Sequence, residues 1–450
     1  MTILIEGSAT PADARTYRLL PFELPDGVTR LMVRYQFGKE LEQGAGIIDI
    51  GIFDERGADF LTDGFRGWSG SARREFFISA EDATPGYVPG ILMPGTWQIC
   101  LGLYEIAPEG CAYRVEIDFE VGEAAPVPEL ALLPLSATPQ PDRRSADGWY
   151  RGELHCHTYH SDGDSDTLEV IARAEALGLD FLAITDHNVL TQQRAMRGAT
   201  TPLMLIPGME VTTYRGHWNV WGDKGWLDFR VGREADMRAS MDEAVRRGYL
   251  VSCNHPKTYG PAWEYPSVDV YHCVEIWNGP WELLNNEALA FWERHLRAGK
   301  RYTAVGGSDN HFLKQQHIAR LGHPTTCIYC EGDPSPARLL DALRAGAAII
   351  TDAPDGPHIA LTCGEAIVGQ TVTAQAGQPL EFNVRVRGGE GCHIQLINDD
   401  GMMADALVDT PDWTKCWPMP AHRAHYVRAQ LVEGQSRMRA LTNPIYIQRA

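Results

Sequence analysis

The sequence lacks the segments that would carry it into or across a membrane. It contains no run of eighteen consecutive apolar residues, and its opening, MTILIEGSATPADARTYRLL, has no cationic stretch followed by a long apolar one. We therefore expect a cytoplasmic protein with no membrane partner.

Basic residues are scarce as well. The chain has 40 Lys and Arg against 59 Asp and Glu, which gives a formal net charge of −19. Such a charge repels a polyphosphate backbone unless a local basic patch or bound cations reverse the field, so a nucleic-acid partner is disfavoured. The expected partner is a small-molecule substrate, and a homo-oligomer is left open.

Cysteine is sparse, with 10 in 450 residues, so the chain is not the dense disulfide framework of a small secreted domain. Several cysteines, such as Cys253, lie inside apolar runs and are expected to be reduced and buried. Cys327 and Cys330 have the C-x-x-C spacing of redox and zinc sites, but no second pair follows and the segment alternates like a strand. A structural role is the stronger interpretation of this pair.

What the chain does contain is apolar material, 44% of its residues, enough for two or three folded domains. Residues 1–122 hold short alternating runs separated by Gly, Pro and Asp, which predicts an N-terminal β-sandwich. The five prolines of 123–147 predict an extended linker. Residues 357–450 return to β patterning, and we expect a C-terminal β-sandwich region that packs with the first one.

Between these regions, residues 148–356 alternate helical and strand-like segments. Asp166 and Glu169 are placed to cap one helix, and Gly178 is placed to end it. Apolar runs of strand length, such as DFLAITDHN and YLVSCNHP, follow the helical segments. Strands that are apolar on both faces and alternate with helices predict an α/β fold with a parallel sheet, and their repetition favours a closed TIM-like barrel.

Polar side chains recur where these strands end, which is where function collects in such a barrel. Eleven of the fifteen histidines lie between residues 155 and 323. The polar residues at or just past strand ends are Glu153, His155, His157, Asp186, His187, Glu210, His217, His255, Glu275, Asp309 and His311.

These residue types point to a metal centre. Imidazole and carboxylate are good ligands for Zn²⁺, Mn²⁺ and Fe. His155 and His157, two apart on an extended strand, point to one face and can reach one ion. A carboxylate such as Glu210 can bridge two ions, which suits a shared hydroxide. Each short motif alone is weak, but a purely structural account would bury many unpaired polar groups at one end of a barrel, each costing ~1–3 kcal/mol.

The ordered motifs ELHCHTYHSDGDS, AITDHN, IPGMEVTT with GHWNVWG, NHP, VEIWNG and GGSDNH resemble the series of the PHP (polymerase and histidinol phosphatase) superfamily of metal enzymes. The flanking segments FRGWSGSARREF, TPGYVPG and ALTNPIYI resemble its carbaryl-hydrolase-like (CehA/McbA) branch. The resemblance implies a distorted (β/α)7 barrel that binds two or three divalent ions, which would be Zn, Mn or Fe.

The same resemblance assigns ligands to each ion. They are His155, His157 and Asp309 for the first, Glu210 as a bridge to a second held by His217 and His255, and Asp162, His187 and His311 for a third. Relatives often have histidine at the position of Asp162, although an aspartate also ligates well. Asp186 and Glu275 are candidates for orienting imidazole N–H groups or a water, with a plain structural role equally open for each.

The activity implied is metal-assisted hydrolysis, with a small phosphate mono- or diester as the leading substrate class. An ester or aryl carbamate is the alternative, because the closer branch includes enzymes that cleave aryl carbamates. His160 is a candidate general acid, and Lys257, Tyr259 and Arg320 are candidates for gripping a substrate anion, although ordinary loop residues are more common at such positions. A non-catalytic binding module or exonuclease accessory domain is disfavoured by the complete ligand series and the acidic charge.

Two features remain open between alternatives. The segment FRGWSGSARREF, residues 65–76, either rims the site or makes a subunit contact. Most tryptophans pack in cores, but a pocket lined by them would favour an aryl leaving group. The tryptophans closest to the motifs or to this segment are Trp68, Trp218, Trp221, Trp263, Trp277 and Trp281.

Overall fold

The computed structural model describes residues 2–122, 147–375, 379–420 and 424–449. This described part is a mixed α/β structure dominated by strands, which form three sheets. The predicted linker, 123–147, lies outside the described residues except for Asp147, and its extended form stays a prediction.

The N-terminal part is an antiparallel seven-stranded sheet built around one long strand. Its strands are β1 (Thr2–Ala9), β2 (Thr16–Leu24), β3 (Val28–Phe37), β4 (Gly44–Phe53), β5 (Phe65–Gly70), β6 (Glu75–Ser79) and β7 (Gly95–Val121), with short 3-10 helices at Pro11–Asp13 and Gly38–Leu41. The first half of β7 pairs with β2 and β4, and the second half with β1 and β3. Alternate side chains of both halves, such as Leu101 and Val115, are buried in one hydrophobic core.

The central part carries the polar motifs on a mixed sheet. Its strands are β8 (Trp149–Glu153), β9 (Phe181–Ile184), β10 (Met204–Thr213), β11 (Gly216–Trp221), β12 (Leu250–Cys253), β13 (Cys273–Asn278), β14 (Thr303–Gly307), β15 (Thr325–Tyr329) and β16 (Ala348–Thr351). Parallel pairing links β8, β9 and β10, and also β12, β13 and β14. The prediction of a parallel sheet is wrong at two strands. β10 continues through a two-residue turn at Tyr214 and Arg215 into an antiparallel hairpin with β11, and β15 pairs antiparallel with β8 and β16.

Helices lie between the central strands, as the sequence pattern predicts. In the described residues they are α1 (Thr167–Ala176), α2 (Gln193–Gly198), α3 (Glu234–Arg247), α4 (Asn285–Arg297) and α5 (Pro336–Arg344). The predicted cap of α1 is confirmed, since Asp166 accepts from the Glu169 N–H and Glu169 accepts from the Asp166 N–H. None of the helices in the described ranges is both long and apolar enough to span a bilayer.

The C-terminal strands extend the central sheet. They are β17 (His358–Cys363), β18 (Ala366–Ile367), β19 (Thr371–Ala374), β20 (Pro379–Arg387), β21 (His393–Asn398), β22 (Gly401–Leu407), β23 (Asp412–Pro420), β24 (Tyr426–Glu433), β25 (Arg437–Thr442) and β26 (Ile445–Arg449). We expected this region to pack with the N-terminal sandwich, but β25 pairs with β16 and so continues the central sheet. A separate four-stranded sheet, β18-β17-β20-β23, lies beside it.

The N-terminal sheet packs against the central part through aromatic side chains. Phe65 of β5 stacks on Trp226 with ring centroids 4.1 Å apart, and the ring centroids of Trp68 and Phe229 are 4.6 Å apart. Full burial of such a side chain stabilises the fold by about 1.5–3 kcal/mol. This contact holds the segment 65–76 over the ends of the central strands.

The cysteines behave as the sequence suggests. All ten are free, and nine of them are buried. Cys327 lies in β15 and Cys330 just past it, and among the described residues neither belongs to a cluster of metal-ligating groups. Cys327 and Cys330 are buried in two different hydrophobic clusters, which supports a structural role for the pair.

Candidate metal centre

The backbone brings the first and last central motifs side by side. Beyond β8 the chain stays extended, and the His157 N–H donates to the Asn310 carbonyl while the Asp309 N–H donates to the His155 carbonyl. Cys156 and Asn310 form a parallel bridge at the same place. The side chains of His155 and His157 therefore face Asp309, although more than 150 residues separate them in sequence.

Glu210, near the end of β10, lies between these histidines. Its Oε1 is 3.4 Å from His155 Nε2, and its Oε2 is 3.6 Å from His157 Nε2. Asp309 Oδ1 lies 3.4 Å from His155 Nε2 and 3.0 Å from His157 Nε2. The four side chains thus converge on one small volume.

Two further groups adjoin this one. Glu210 Oε1 is also 3.2 Å from His217 Nδ1, on β11, and 3.3 Å from His255 Nε2, just past β12. On the other side, Asp162 Oδ1 lies 3.5 Å from His187 Nε2 and 3.4 Å from His311 Nε2.

Every residue that the sequence assigned as a ligand therefore lies in one continuous cluster. Three sets within it have ligand atoms that all lie within 4.8 Å of one another. These sets are His157, Asp162, His187 and His311; His155, His157 and Glu210; and Glu210, His217 and His255.

The ligand atoms of the cluster are better placed to bind divalent cations than to form hydrogen bonds with one another. His155 Nε2, His157 Nε2, Glu210 Oε2 and Asp309 Oδ1 are buried and make no hydrogen bond in the described structure. An unpartnered buried polar atom costs ~1–3 kcal/mol. Ligand atoms about 2.1 Å from a tetrahedral ion lie about 3.4 Å apart, which is the spacing of these atoms. We conclude that the residues present fit a cluster of metal ions.

The electrostatics of the cluster also favour positive charge at its centre. Burial raises the pKa of Glu210, but the adjacent charges of His155 and His217 outweigh it and hold the pKa well below its usual range. Burial lowers the pKa of His155, but Glu275, Asp309 and Glu210 raise it well above the ordinary value. The carboxylates thus stabilise any cation bound among them.

Two ligand candidates have unusual backbone conformations. His255 has φ +29° and Asp309 has φ +52°. Residues other than glycine adopt such angles at a cost of about 1–3 kcal/mol, and they do so mostly where function constrains the chain. At these positions the His255 ring lies beside Glu210, and the Asp309 carboxylate lies beside His155 and His157.

Glu275 is placed to orient two of the histidines. Its Oε1 lies 2.8 Å from His155 Nδ1, and its Oε2 accepts from the His255 backbone N–H. A carboxylate on Nδ1 leaves Nε2 of the same ring free as a ligand. Asn278, which the sequence did not single out as a site residue, donates its amide to both Glu275 and Asp309.

Asp186 has a different surrounding. It accepts hydrogen bonds from the Thr158 N–H and hydroxyl and from the Ser161 hydroxyl, at 2.7–2.8 Å. These bonds hold the loop that carries Asp162. The described contacts of Asp186 therefore support the structural alternative for this residue.

His160 lies next to the cluster in sequence but faces elsewhere. Its Nδ1 is 2.8 Å from the Thr191 hydroxyl, and burial lowers its pKa. The ring lines a separate cavity of about 980 Å³ between the N-terminal sheet and α2. This placement favours a structural role over that of a general acid.

Replacing His160 with Ala is accordingly expected to reduce kcat/KM only a few-fold. Loss of a true general acid costs about 10²–10⁴-fold. Steady-state kinetics of the metal-loaded variant on bis(p-nitrophenyl) phosphate measure the effect. A loss of 10²-fold or more with unchanged metal content would restore His160 to the catalytic role.

Two of the three candidates for gripping a substrate anion lie together, with the Lys257 ammonium 5.9 Å from the centroid of the Tyr259 ring. The Lys257 ammonium is buried and donates to the Asn278 carbonyl and the Asn285 side chain, while burial lowers its pKa to about 8. Tyr259 is 53% exposed, and Arg320 is an exposed loop residue. In the described structure none of the three lines the cavity next to the metal cluster, and substrate contact by them stays a prediction.

That cavity, of about 320 Å³, opens beside Asp162, His187 and His217. Its other wall comes from the N-terminal sheet, so the segment 65–76 rims the site. Of the six tryptophans considered from sequence, only Trp68 is among its lining residues. The remaining lining residues are Ile47, Asp49, Ser69, Gly70, Ser71, Ala72, Tyr104, Ser161, Asn188, Thr212, Thr213, Tyr214 and Pro261.

Sequence reasoning missed Asp49, Tyr104 and Tyr214 in this cavity. One signal was available: Asp49 is a single carboxylate inside the apolar strand GIIDIGIF, where Ile48 and Ile50 are fully buried. In a strand its side chain must point to the opposite face. Which surface covers that face could not be read from the pattern.

Three solved structures are distant likenesses of this chain. A two-domain protein from Bacteroides vulgatus containing a predicted PHP-like metal-dependent phosphoesterase has 15% identity and a TM-score of 0.36, covering 69% of this chain and 99% of its own. A candidate metal-dependent phosphoesterase from Bifidobacterium adolescentis has 15% identity and a TM-score of 0.30, covering 42% of this chain and 94% of its own. An amidohydrolase from Chromobacterium violaceum, with bound sulfate and no metal, has 17% identity and a TM-score of 0.27, covering 45% and 97%.

No curated protein sequence matches the chain. A domain profile does match its central part. The matched segment includes seven of the nine ligand candidates, while Asp309 and His311 lie beyond it. Residues 153–264 of this chain match the PHP domain.

Proposed function

We propose that this chain is a metal-dependent hydrolase that acts on a small-molecule phosphate ester at the cluster around Glu210. The observation that carries the proposal is the convergence of six imidazoles and three carboxylates. Four of their ligand atoms, His155 Nε2, His157 Nε2, Glu210 Oε2 and Asp309 Oδ1, are buried and make no hydrogen bond in the described structure. The match of residues 153–264 to the PHP domain supports the same chemistry.

Two or three divalent ions, Zn, Mn or Fe, would occupy the cluster. His155, His157, Asp309 and Glu210 would hold the first, and Glu210, His217 and His255 the second. Asp162, His187 and His311 would hold a third. When bound, such ions lower the pKa of water and neutralise charge that develops on the substrate oxygen.

The chain's own residues hold the innermost ligands in place. Glu275 orients the His155 ring through Nδ1, and the Asn254 amide donates to Glu210 Oε1 at 3.0 Å. The carboxylates of Glu210 and Glu275 and the amides of Asn254 and Asn278 are almost fully buried. This pre-organisation lets the ligands meet a cation without rearrangement.

An ester or aryl carbamate is the second candidate substrate class. The cavity beside the cluster is walled by Trp68, Tyr104 and Tyr214, and its lining residues, all within the described ranges, include no Lys or Arg. An aromatic surface without cations suits an apolar aryl group at least as well as a second phosphate.

The finer family features are part of the same proposal. The bridge from Cys156 to Asn310, which brings the end of β14 back to the end of β8, supports a distorted (β/α)7 barrel. The acidic cavity supports a small-molecule substrate over nucleic acid. Assignment to the carbaryl-hydrolase-like branch stays a prediction.

Elemental analysis of the purified protein, followed by a substrate panel with the same metal restored, tests the proposal. We expect at least one ion of Zn, Mn or Fe per chain and turnover of bis(p-nitrophenyl) phosphate that a chelator abolishes and the metal restores. Including p-nitrophenyl phosphate and 1-naphthyl N-methylcarbamate separates the substrate classes. A folded protein that contains no metal and takes up none would contradict the proposal.

A further inference from the structure

The cavity beside the metal cluster contains a carboxylate that the proposed chemistry does not use. Asp49 of β4 accepts a 2.7 Å hydrogen bond on Oδ2 from the hydroxyl of Tyr214, in the turn between β10 and β11. Among the described residues nothing donates to its Oδ1, and the residue lines the cavity. One oxygen is therefore held in place, and the other is available to a ligand.

The N-terminal sheet is shaped to receive this pair. The Tyr214 hydroxyl lies so close to Gly102 of β7 that a Cβ on Gly102 would stand 2.0 Å from its oxygen. Tyr214 also stacks on Tyr17 with ring centroids 5.2 Å apart. Asp49 is thus positioned by two parts of the chain that meet only in the folded protein.

Aromatic rings flank the carboxylate. Tyr104, which is 41% exposed, lies 5.1 Å from Tyr214 between ring centroids, and Trp68 lines the same wall. Such rings bind a planar group and also favour a cation near their faces. Asp162 adds a second carboxylate at the side of the metal cluster.

The charge of this wall has one sign. Asp49 and Asp162 line the cavity, and no Lys or Arg occurs among its described lining residues. Next to Asp49, a second anionic group on the substrate would meet like charge, whereas an ammonium or an N–H donor would find an acceptor. Burial, opposed by the hydrogen bond from Tyr214, raises the pKa of Asp49 to about 6, so its carboxylate is charged at pH 8.

We propose that Asp49, held by Tyr214, is a specificity residue that binds a cationic or N–H donor group on the aromatic part of the substrate. The N-terminal sheet thereby supplies the substrate-binding wall, and the central part supplies the reacting centre. The substrate class is an aryl ester whose ring carries an amine or a similar donor and no second anion. This inference rests on the proposed hydrolase function.

Three phenols that differ in one substituent test the inference by binding, without catalysis. They are 4-(aminomethyl)phenol, 4-methylphenol and 4-hydroxybenzoate, titrated calorimetrically into the metal-loaded protein at pH 8. We expect the aminomethyl compound to bind about tenfold more tightly than the methyl compound, and the carboxylate more weakly than both. The phosphate monoesters of the same phenols should give the same order in kcat/KM.

The Asp49→Asn variant should remove this order, because Asn keeps an oxygen for Tyr214 but carries no charge. Asp63→Asn is the matched control, since Asp63 is an exposed residue of the same N-terminal part and lies outside the cavity lining. Tyr104→Leu should weaken all three phenols alike. An Asp49→Asn variant that weakens the three equally, or a wild-type protein that binds none of them, would overturn the inference.

Hydrolysis of bis(p-nitrophenyl) phosphate by the same preparation separates this inference from the proposed function. If the protein hydrolyses that diester but the affinity ranking of the three phenols does not depend on Asp49, only the specificity role of Asp49 is refuted. If the affinity ranking of the three phenols depends on Asp49 but the protein hydrolyses no ester, the substrate-binding wall is supported and the hydrolase function is refuted.

Discussion

Replacing Glu210 with Gln is expected to abolish activity and to lower metal content. Glu210 is the one carboxylate shared by two of the three ligand sets, and its two oxygens lie 2.9–3.6 Å from five imidazole nitrogens. An amide of the same size has no charge and only one oxygen, so it cannot bridge two cations. Loss of several kcal/mol of electrostatic stabilisation corresponds to about a 10³-fold or greater fall in kcat/KM.

The measurement combines kinetics on bis(p-nitrophenyl) phosphate with elemental analysis of the same samples. Glu365→Gln serves as the matched control, because Glu365 is exposed and far in sequence from the cluster. Circular dichroism should show the same secondary structure for both variants. A Glu210→Gln protein with wild-type metal content and turnover would remove the central residue from the proposed site.

Replacing Glu153 with Ala is expected to destabilise the fold severely rather than to act on the chemistry. This carboxylate is fully buried and accepts from four backbone N–H groups, those of Leu154, His155, Ser308 and Gly322, at 2.8–3.0 Å. Alanine leaves all four donors buried without partners. At ~1–3 kcal/mol each, the loss is about 4 kcal/mol or more, a large part of a typical unfolding free energy of about 5–15 kcal/mol.

Urea denaturation followed by tryptophan fluorescence measures this effect as a fall in the transition midpoint, or the variant is recovered only in aggregates. Glu153→Gln keeps one oxygen as an acceptor, so its midpoint should lie between those of the wild type and the alanine variant. If the alanine variant unfolds at the wild-type urea concentration, the four hydrogen bonds do not hold β8 to the end of β14.

The helices and the ligand types were predictable from the sequence for local reasons. A helix cap depends on residues three apart, and Asp166 with Glu169 supplies it within one turn. Histidines two apart on a strand share a face whatever the rest of the chain does. The convergence of the ligand candidates followed from placing polar residues at the ends of successive strands.

The errors have a common cause, which is that side-chain direction and sheet neighbours are set by contacts distant in sequence. His160 is not among these errors: three residues from His157, it stays a candidate general acid, although its Nδ1 lies 2.8 Å from the Thr191 hydroxyl and its ring lines another cavity. The antiparallel hairpin of β10 and β11 lies within an alternation of helical and strand-like segments that predicted a parallel sheet. The C-terminal strands continue the central sheet because β25 pairs with β16.

By itself the sequence determined which chemistry the centre can support, since imidazole and carboxylate groups at strand ends bind divalent cations wherever the chain brings them together. Only the tertiary structure decided what stands opposite that centre. Asp49 and Tyr104 come from a sheet more than 50 residues upstream of His155, and they reach the cavity because β4, β5 and β7 pack on the turn at Tyr214. Periodicity reports which face of a strand is covered, whereas the identity of the covering surface depends on packing between distant segments.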